Sequence, residues 1–140
     1  MTAPALAHPR LAELTARARE AMTRAYAPYS RFRVGAALLT RDGAVIAGCN
    51  VENAAYPSGI CAERGAVVAA VEQGRRDFEL LVIATEAEEP APPCGMCRQV
   101  LVEFAPSLPI VSVVADGRAQ AWTMAELLPR PFLPDSLAGG

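Results

Sequence analysis

Glu79-Leu80-Leu81-Val82-Ile83-Ala84-Thr85 is a stretch of strand length whose centre, Leu80 to Ala84, is unbroken apolar. A strand that faces solvent on one side alternates apolar with polar residues, so this one reads as buried on both faces. Its surroundings explain what covers it. From Cys61 to Gln73 the chain carries helix formers with apolar Ala66, Val67, Ala70 and Val71, and Gly74 closes the segment. Cys94 to Phe104 reads as another helix, placed just after Pro93, whose missing N–H is harmless at a helix start. Ile110 to Ala115, apolar but for Ser112, reads as a further strand. Strand-helix-strand order demands parallel pairing of the two strands.

Apolar Leu11, Leu14, Ala18, Ala21, Met22 and Ala25 predict an amphipathic helix from Leu11 to Tyr26, ended by Ala27-Pro28-Tyr29-Ser30. Phe32 to Thr40 and Val45 to Val51 are strand-like runs joined by Arg41-Asp42-Gly43-Ala44, a hairpin signal. Asp116-Gly117 is a turn, Gln120 to Met124 a short last strand, and the tail from Leu127 is proline-rich and irregular. Glu86 to Pro93 is an acidic, proline-rich loop. The pattern predicts an α/β fold, helix/sheet/helix in three layers around a mixed five-stranded sheet. One domain spans 1–140, with 1–9 and 135–140 expected to be flexible.

Composition limits the function. Apolar residues make up 52% of the 140 residues and charged residues 20%, which leaves apolar surface for a partner subunit. Net charge is −2 without a basic stripe, against a nucleic-acid partner and in favour of a small substrate. The start, Met1 to Pro9, lacks the pattern of a signal peptide, and no apolar run approaches the roughly 18 residues of a membrane span. The expected compartment is the cytoplasm, where thiols stay reduced and act as ligands or core residues.

Cys61-Ala62-Glu63-Arg64 and Pro93-Cys94-Gly95-Met96-Cys97-Arg98 carry the chemistry. Cys61, Cys94 and Cys97 suffice to hold one Zn²⁺ per chain with its fourth position open. Residues two apart on a helix point to nearly opposite sides, so Cys61 and Glu63 share a site only at a helix end. Cys94 and Cys97 share a face of a first helical turn, which aims two helix N-termini at the metal. Arg64 adds positive charge and hydrogen bonds behind the thiolates. The only histidine is His8, far from these motifs, which leaves Glu63, its pKa raised by burial, as the proton carrier. Two other readings stand beside this one: a redox pair at Cys94-x-x-Cys97, and a structural four-cysteine site that recruits Cys49. For Cys49 itself a core role fits better.

Together with these motifs, Pro28-Tyr29-Ser30, Phe32 with Val34 to Leu39, Gly48-Cys49-Asn50-Val51-Glu52-Asn53-Ala54, Tyr56-Pro57, Arg98-Gln99-Val100-Leu101, Leu127-Leu128-Pro129, Phe132 and Pro134 extend over nearly the whole chain. In this series the chain resembles the small homotetrameric zinc-dependent cytidine deaminases of pyrimidine salvage. The resemblance implies hydrolysis of cytidine and 2′-deoxycytidine to the uridines and ammonia, by attack of zinc-bound hydroxide at C4 while Glu63 shuttles protons. It implies that Cys61, Cys94 and Cys97 are the zinc ligands and that Asn50 and Glu52 grip the ribose 3′-hydroxyl. Two residues apart on a strand, Asn50 and Glu52 share a face and supply a donor and acceptors, in agreement. By the same resemblance Phe32 packs on the pyrimidine, Ala62 and Tyr56 lie near the substrate, and Phe132 enters a neighbouring subunit's site. Tyr56 is likewise implied to come from an adjacent subunit.

Gly65 departs from the helix-compatible residue of many relatives, at a cost of up to about 1 kcal/mol to the first helical turn. Blasticidin-type deaminases share the zinc motifs; Asn50-Val51-Glu52-Asn53 favours a nucleoside. A non-catalytic, zinc-stabilised interaction domain and a polynucleotide deaminase are the competing readings, the second disfavoured by the charge.

Overall fold

The computed structural model describes residues 3–138. Strands β1 (Val34–Thr40), β2 (Val45–Cys49), β3 (Phe78–Thr85), β4 (Ile110–Val113) and β5 (Ala119–Trp122) form one sheet in the order β2-β1-β3-β4-β5. The β3–β4 pair is parallel and the β2–β1, β1–β3 and β4–β5 pairs are antiparallel. The mixed five-stranded sheet is therefore as expected.

Helices α1 (Ala3–Leu6) and α2 (Leu11–Met22) cover one face, and α3 (Ala62–Glu72), α4 (Gly95–Phe104) and α5 (Met124–Leu127) the other. Strand alternation sorts the core between these layers. Leu38, Leu81, Ile83 and Ile110 join Ala66, Val67 and Leu101 on the α3/α4 side. Leu39, Leu80, Val82 and Val111 join Leu14 and Ala18 beneath α2. Consecutive apolar residues of β3 thus serve opposite cores, which is why the run shows no polar interruption.

Two glycines set how closely the helices approach. A Cβ on Gly48 would lie 2.4 Å from the Ala62 carbonyl oxygen and 2.6 Å from the Ala66 nitrogen, so α3 rests directly on the β2 backbone. A Cβ on Gly35 would lie 1.9 Å from the Ala18 carbonyl oxygen, the matching contact of α2 on β1. Neither close approach is visible as periodicity.

Several boundaries differ from the sequence expectation. The first long helix ends at Met22 rather than Tyr26, where Arg24 and Ala25 amides turn back to Ala21 and Met22 carbonyls. The strand expected from Phe32 starts at Val34, because residues 29–33 are held by side chains instead of a ladder. The second strand ends at Cys49, and Val51 makes only isolated bridges to Tyr26 and Ile60. The last strand is Ala119–Trp122, and Met124 opens α5 instead.

The tail is not wholly irregular. Thr123 and Glu126 form a reciprocal capping box that starts α5, a Thr-x-x-Glu signal present in the sequence. A short exposed helix α6 (Pro134–Ala138) follows. Within the end expected to be flexible, Ala5 is buried in the α2-side core and the His8 ring lies 2.7 Å from the Glu79 carboxylate. Residues 1–2 and 139–140 of those expected ends lie outside the described residues.

Candidate zinc and nucleoside site

Cys61 and Cys94 are the N-caps of α3 and α4, both in extended backbone, with ψ of 156° and 167°. Each therefore precedes a turn of unpaired amides, and the two helix N-termini converge, as anticipated. Cys94 Sγ is 3.9 Å from Cys61 Sγ and 3.5 Å from Cys97 Sγ, and all three sulfurs lie within 4.8 Å of one another. Tetrahedral Zn²⁺ with Zn–S bonds near 2.3 Å requires sulfurs about 3.8 Å apart, so this donor set fits zinc. Among the described residues this is the one cluster of potential metal ligands, and Cys49 is outside it. Cys49 sits half-buried at the end of β2, which leaves the four-cysteine alternative without its fourth thiol. Cys94 and Cys97 are likewise not an isolated redox pair, since Cys61 completes their triangle.

The electrostatics favour thiolate at Cys61. A hydrogen bond from the Cys97 thiol, aided by Arg64, lowers Cys61 to about 5, while that same bond, with burial and the nearby Glu63 carboxyl, pushes Cys97 up. Arg64 places Nη2 at 3.3 Å from the Gly59 carbonyl oxygen and 3.9 Å from Cys61 Sγ, and its buried Nε has no protein acceptor. The guanidinium lies behind the sulfur, as its place after Glu63 suggested.

Glu63 follows in the first turn of α3, 5% exposed, and burial raises its pKa, with the Cys61 charge adding to the effect. It lines a cavity of about 290 Å³ together with Cys61, Cys94, Ala62, Phe32, Val34, Asn50, Glu52, Ile83 and Thr85. Ala91 and Pro92 of the loop after β3 form its rim. The site thus has an acid-base group and thiols at its floor, apolar walls and a polar edge.

At that edge Asn50 and Glu52 already have work within the chain. Asn50 accepts from the Val34 amide at 2.8 Å and donates to the Phe32 carbonyl at 2.8 Å. Glu52 accepts from the Tyr29 and Ser30 amides at 3.0 and 3.1 Å and from the Ser30 hydroxyl, bonds that lower its pKa. The Ser30 hydroxyl holds it most strongly, and the carboxylate stays ionised. Both side chains nonetheless line the cavity.

Tyr56 is 76% exposed, on a short 3-10 turn (Tyr56–Ser58), and stacks edge-on against Tyr29 beside a second cavity that shares Ser30 and Glu52. Phe132 is 56% exposed and does not line this chain's cavity; its carbonyl accepts from Gln99. The fold therefore lines one cavity with Phe32, Asn50, Glu52, Cys61, Ala62, Glu63 and Cys94, sets Cys97 beside Cys94 and Arg64 beside the Cys61 sulfur, and leaves Tyr56 and Phe132 outside it. Sequence reading missed Ser30, Thr85 and Arg98. Thr85 was findable, two residues beyond Ile83 on the same strand face. Arg98 was not: it ties the Pro93 carbonyl, just before Cys94, to the Leu127 carbonyl at the end of α5.

Among the described residues no helix is long and apolar enough to cross a membrane. The family model for the cytidine and deoxycytidylate deaminase zinc-binding region matches residues 9–113. The chain is 44% identical over 127 residues to a cytidine deaminase of Sporosarcina psychrophila, covering 90% of this chain and 93% of that protein. A crystal structure of cytidine deaminase from Burkholderia pseudomallei superposes with a TM-score of 0.84 at 43% identity, covering 87% of this chain and 98% of that one. A blasticidin-S deaminase of Bacillus cereus is more distant, at 31% identity over 128 residues, or 86% of this chain and 90% of that protein. With its three thiols and buried glutamate in place, the chain belongs to the zinc-binding cytidine and deoxycytidylate deaminase family.

Proposed function

We propose that the chain hydrolyses cytidine and 2′-deoxycytidine to uridine and 2′-deoxyuridine with release of ammonia. The observation that carries this reading is the buried Glu63 carboxyl at the floor of a nucleoside-sized cavity, beside three converging thiols. Cys61, Cys94 and Cys97 would hold one zinc per chain. When bound, the metal supplies Lewis-acid activation of water.

The chain's own groups do the rest. Phe32, Val34 and Ile83 give the flat base apolar walls, while Asn50 and Glu52 meet the ribose hydroxyls at the edge. Glu63, its pKa raised by burial, takes a proton from the attacking water and delivers it to ring N3 as the C–O bond forms at C4. It then passes the second proton to the exocyclic amine, the C4–N bond breaks and ammonia leaves. Arg64 stabilises the Cys61 thiolate throughout.

The working form is a homotetramer with shared sites, in a cytoplasmic pyrimidine salvage role. Support comes from Phe132, Tyr56, Met96 and Val68, all exposed large apolar side chains, and from four free cysteines. The decisive test follows the ultraviolet spectrum of cytidine with purified protein before and after a strong chelator. Conversion to uridine that stops on zinc removal is expected; an unchanged spectrum with zinc-loaded protein defeats the reading.

A further inference from the structure

Every backbone N–H from Tyr29 to Val34 has an acceptor, although the segment is neither helix nor strand before Val34. Tyr29 and Ser30 donate to Glu52, Arg31 to the Ala27 carbonyl, Phe32 to the Ser30 hydroxyl and Val34 to Asn50. The remaining amide, that of Arg33, donates to Glu86 Oε2 at 3.0 Å. Arg31 adopts φ of 58°, a left-handed conformation that non-glycine residues rarely hold without such support. The segment is thus a loop laced in place by side chains, and Phe32 is its contribution to the cavity.

Apart from the local Ala27 and Ser30 acceptors and the Asn50–Glu52 stretch, Glu86 is the one further anchor of these amides. Arg33 closes the contact from the other side, with Nε and Nη2 at 2.9 and 2.6 Å from Glu86 Oε1. The β1–β3 ladder ends at Val34 opposite Thr85, so the pair stands one step beyond it and continues the ladder by side chain. Glu86 also begins the loop that brings Ala91 and Pro92 to the cavity rim and ends at Cys94. One carboxylate therefore fixes the two sides of the mouth against each other. The partners are 44% and 33% exposed, and ion pairs at that exposure add little to global stability. Their effect is local.

We infer that Glu86, through Arg33, is a positioning residue that sets Phe32 against the substrate ring, an inference that rests on the nucleoside reading above. Neither residue touches the base. Glu86→Ala in zinc-loaded, full-length protein should raise KM for cytidine about ten-fold, the scale of one charge-assisted hydrogen bond. Zinc content and the thermal midpoint stay near those of the parent, and kcat stays within about two-fold. Glu86→Gln, which keeps an oxygen for the Arg33 amide, falls between. In a Phe32→Ala background the same Glu86→Ala change should move KM by less than about two-fold, because its effect runs through the ring. Hydrogen exchange at amides 29–34, which needs no turnover, should accelerate in Glu86→Ala. An unchanged KM, an equal effect with and without Phe32, or unaltered exchange each overturns the inference. Parent protein that leaves cytidine intact sinks the nucleoside reading instead, and the exchange result then decides the anchoring by itself.

Discussion

Cys61 Sγ lies 3.9 Å from Cys94 Sγ because each residue is the N-cap of its own helix and the two helices point their first turns at one spot. In the proposed function, metal binding and proton transfer therefore fall to separate side chains of the same turns. Cys94→Ala should lose zinc, by direct metal analysis, along with turnover. Glu63→Gln should retain zinc and lose turnover by about 10²–10⁴-fold, the usual worth of a general acid-base. Loss of the metal in Glu63→Gln would contradict this division of labour.

In the proposed function Arg64 acts through Cys61 rather than on substrate. Arg64→Gln keeps hydrogen-bonding groups but removes the charge behind the sulfur. Turnover should fall about 10–100-fold, as for other groups that support a metal ligand, with zinc still bound. Full turnover in this variant counts decisively against the role.

Gly48 and Gly65 should respond in opposite directions to alanine. At Gly48 the new methyl meets α3 backbone at 2.4 Å, which forces the helix that carries Cys61 and Glu63 away from the sheet. A stability loss of about 1–3 kcal/mol and weakened zinc retention are expected. At Gly65 the nearest atoms outside α3 are 3.7 and 3.9 Å away, ordinary contact, so Gly65→Ala should gain up to about 1 kcal/mol of helix propensity. Chemical denaturation of both variants reads the difference.

Glu52 links the cavity edge to pH. Hydrogen bonds from the Ser30 hydroxyl and the Ser30 and Tyr29 amides lower its folded pKa below the ordinary 4.5. The native state then binds fewer protons than the unfolded chain in that window, so the carboxylate's stabilisation is complete above 4.5 and fades as pH falls through the lowered value. The gap in thermal midpoint between parent and Glu52→Gln, present at neutral pH, should close in acid. A gap that persists well below 4.5 would show that the ionised carboxylate is not what stabilises the segment.

Truncation after Leu128 tests the shared site. It removes Phe132 and α6, which sit outside this chain's own cavity. Activity should fall at least about ten-fold together with oligomer mass by light scattering, since positioning groups carry effects of that size. A fully active monomer refutes the shared site.

Much of this site was legible residue by residue. Cys61 was placed at a helix start because Cys61 and Glu63, two apart, share a site only there, and Pro93 marked the start at Cys94. Gly43, Gly74 and Gly117, expected as turn or closing residues, all have positive φ. What misled the reading was local pattern overridden by side-chain hydrogen bonding. Phe32 looks like strand, yet the Ser30 hydroxyl, Glu52 and Glu86 accept from the amides of its segment and Asn50 donates to the Phe32 carbonyl, in place of a ladder.

By itself the sequence determined the two-sided burial of β3, the mixed sheet and the donor set of Cys61, Cys94 and Cys97 with Glu63 beside it, because periodicity and donor type are local properties. Only the tertiary structure decided that Gly48 lets α3 descend onto β2, that Cys49 stays out of the thiol cluster, and that Glu86 reaches Arg33. Those depend on which backbones approach within a few ångströms across long stretches of chain, and no local spacing encodes that distance.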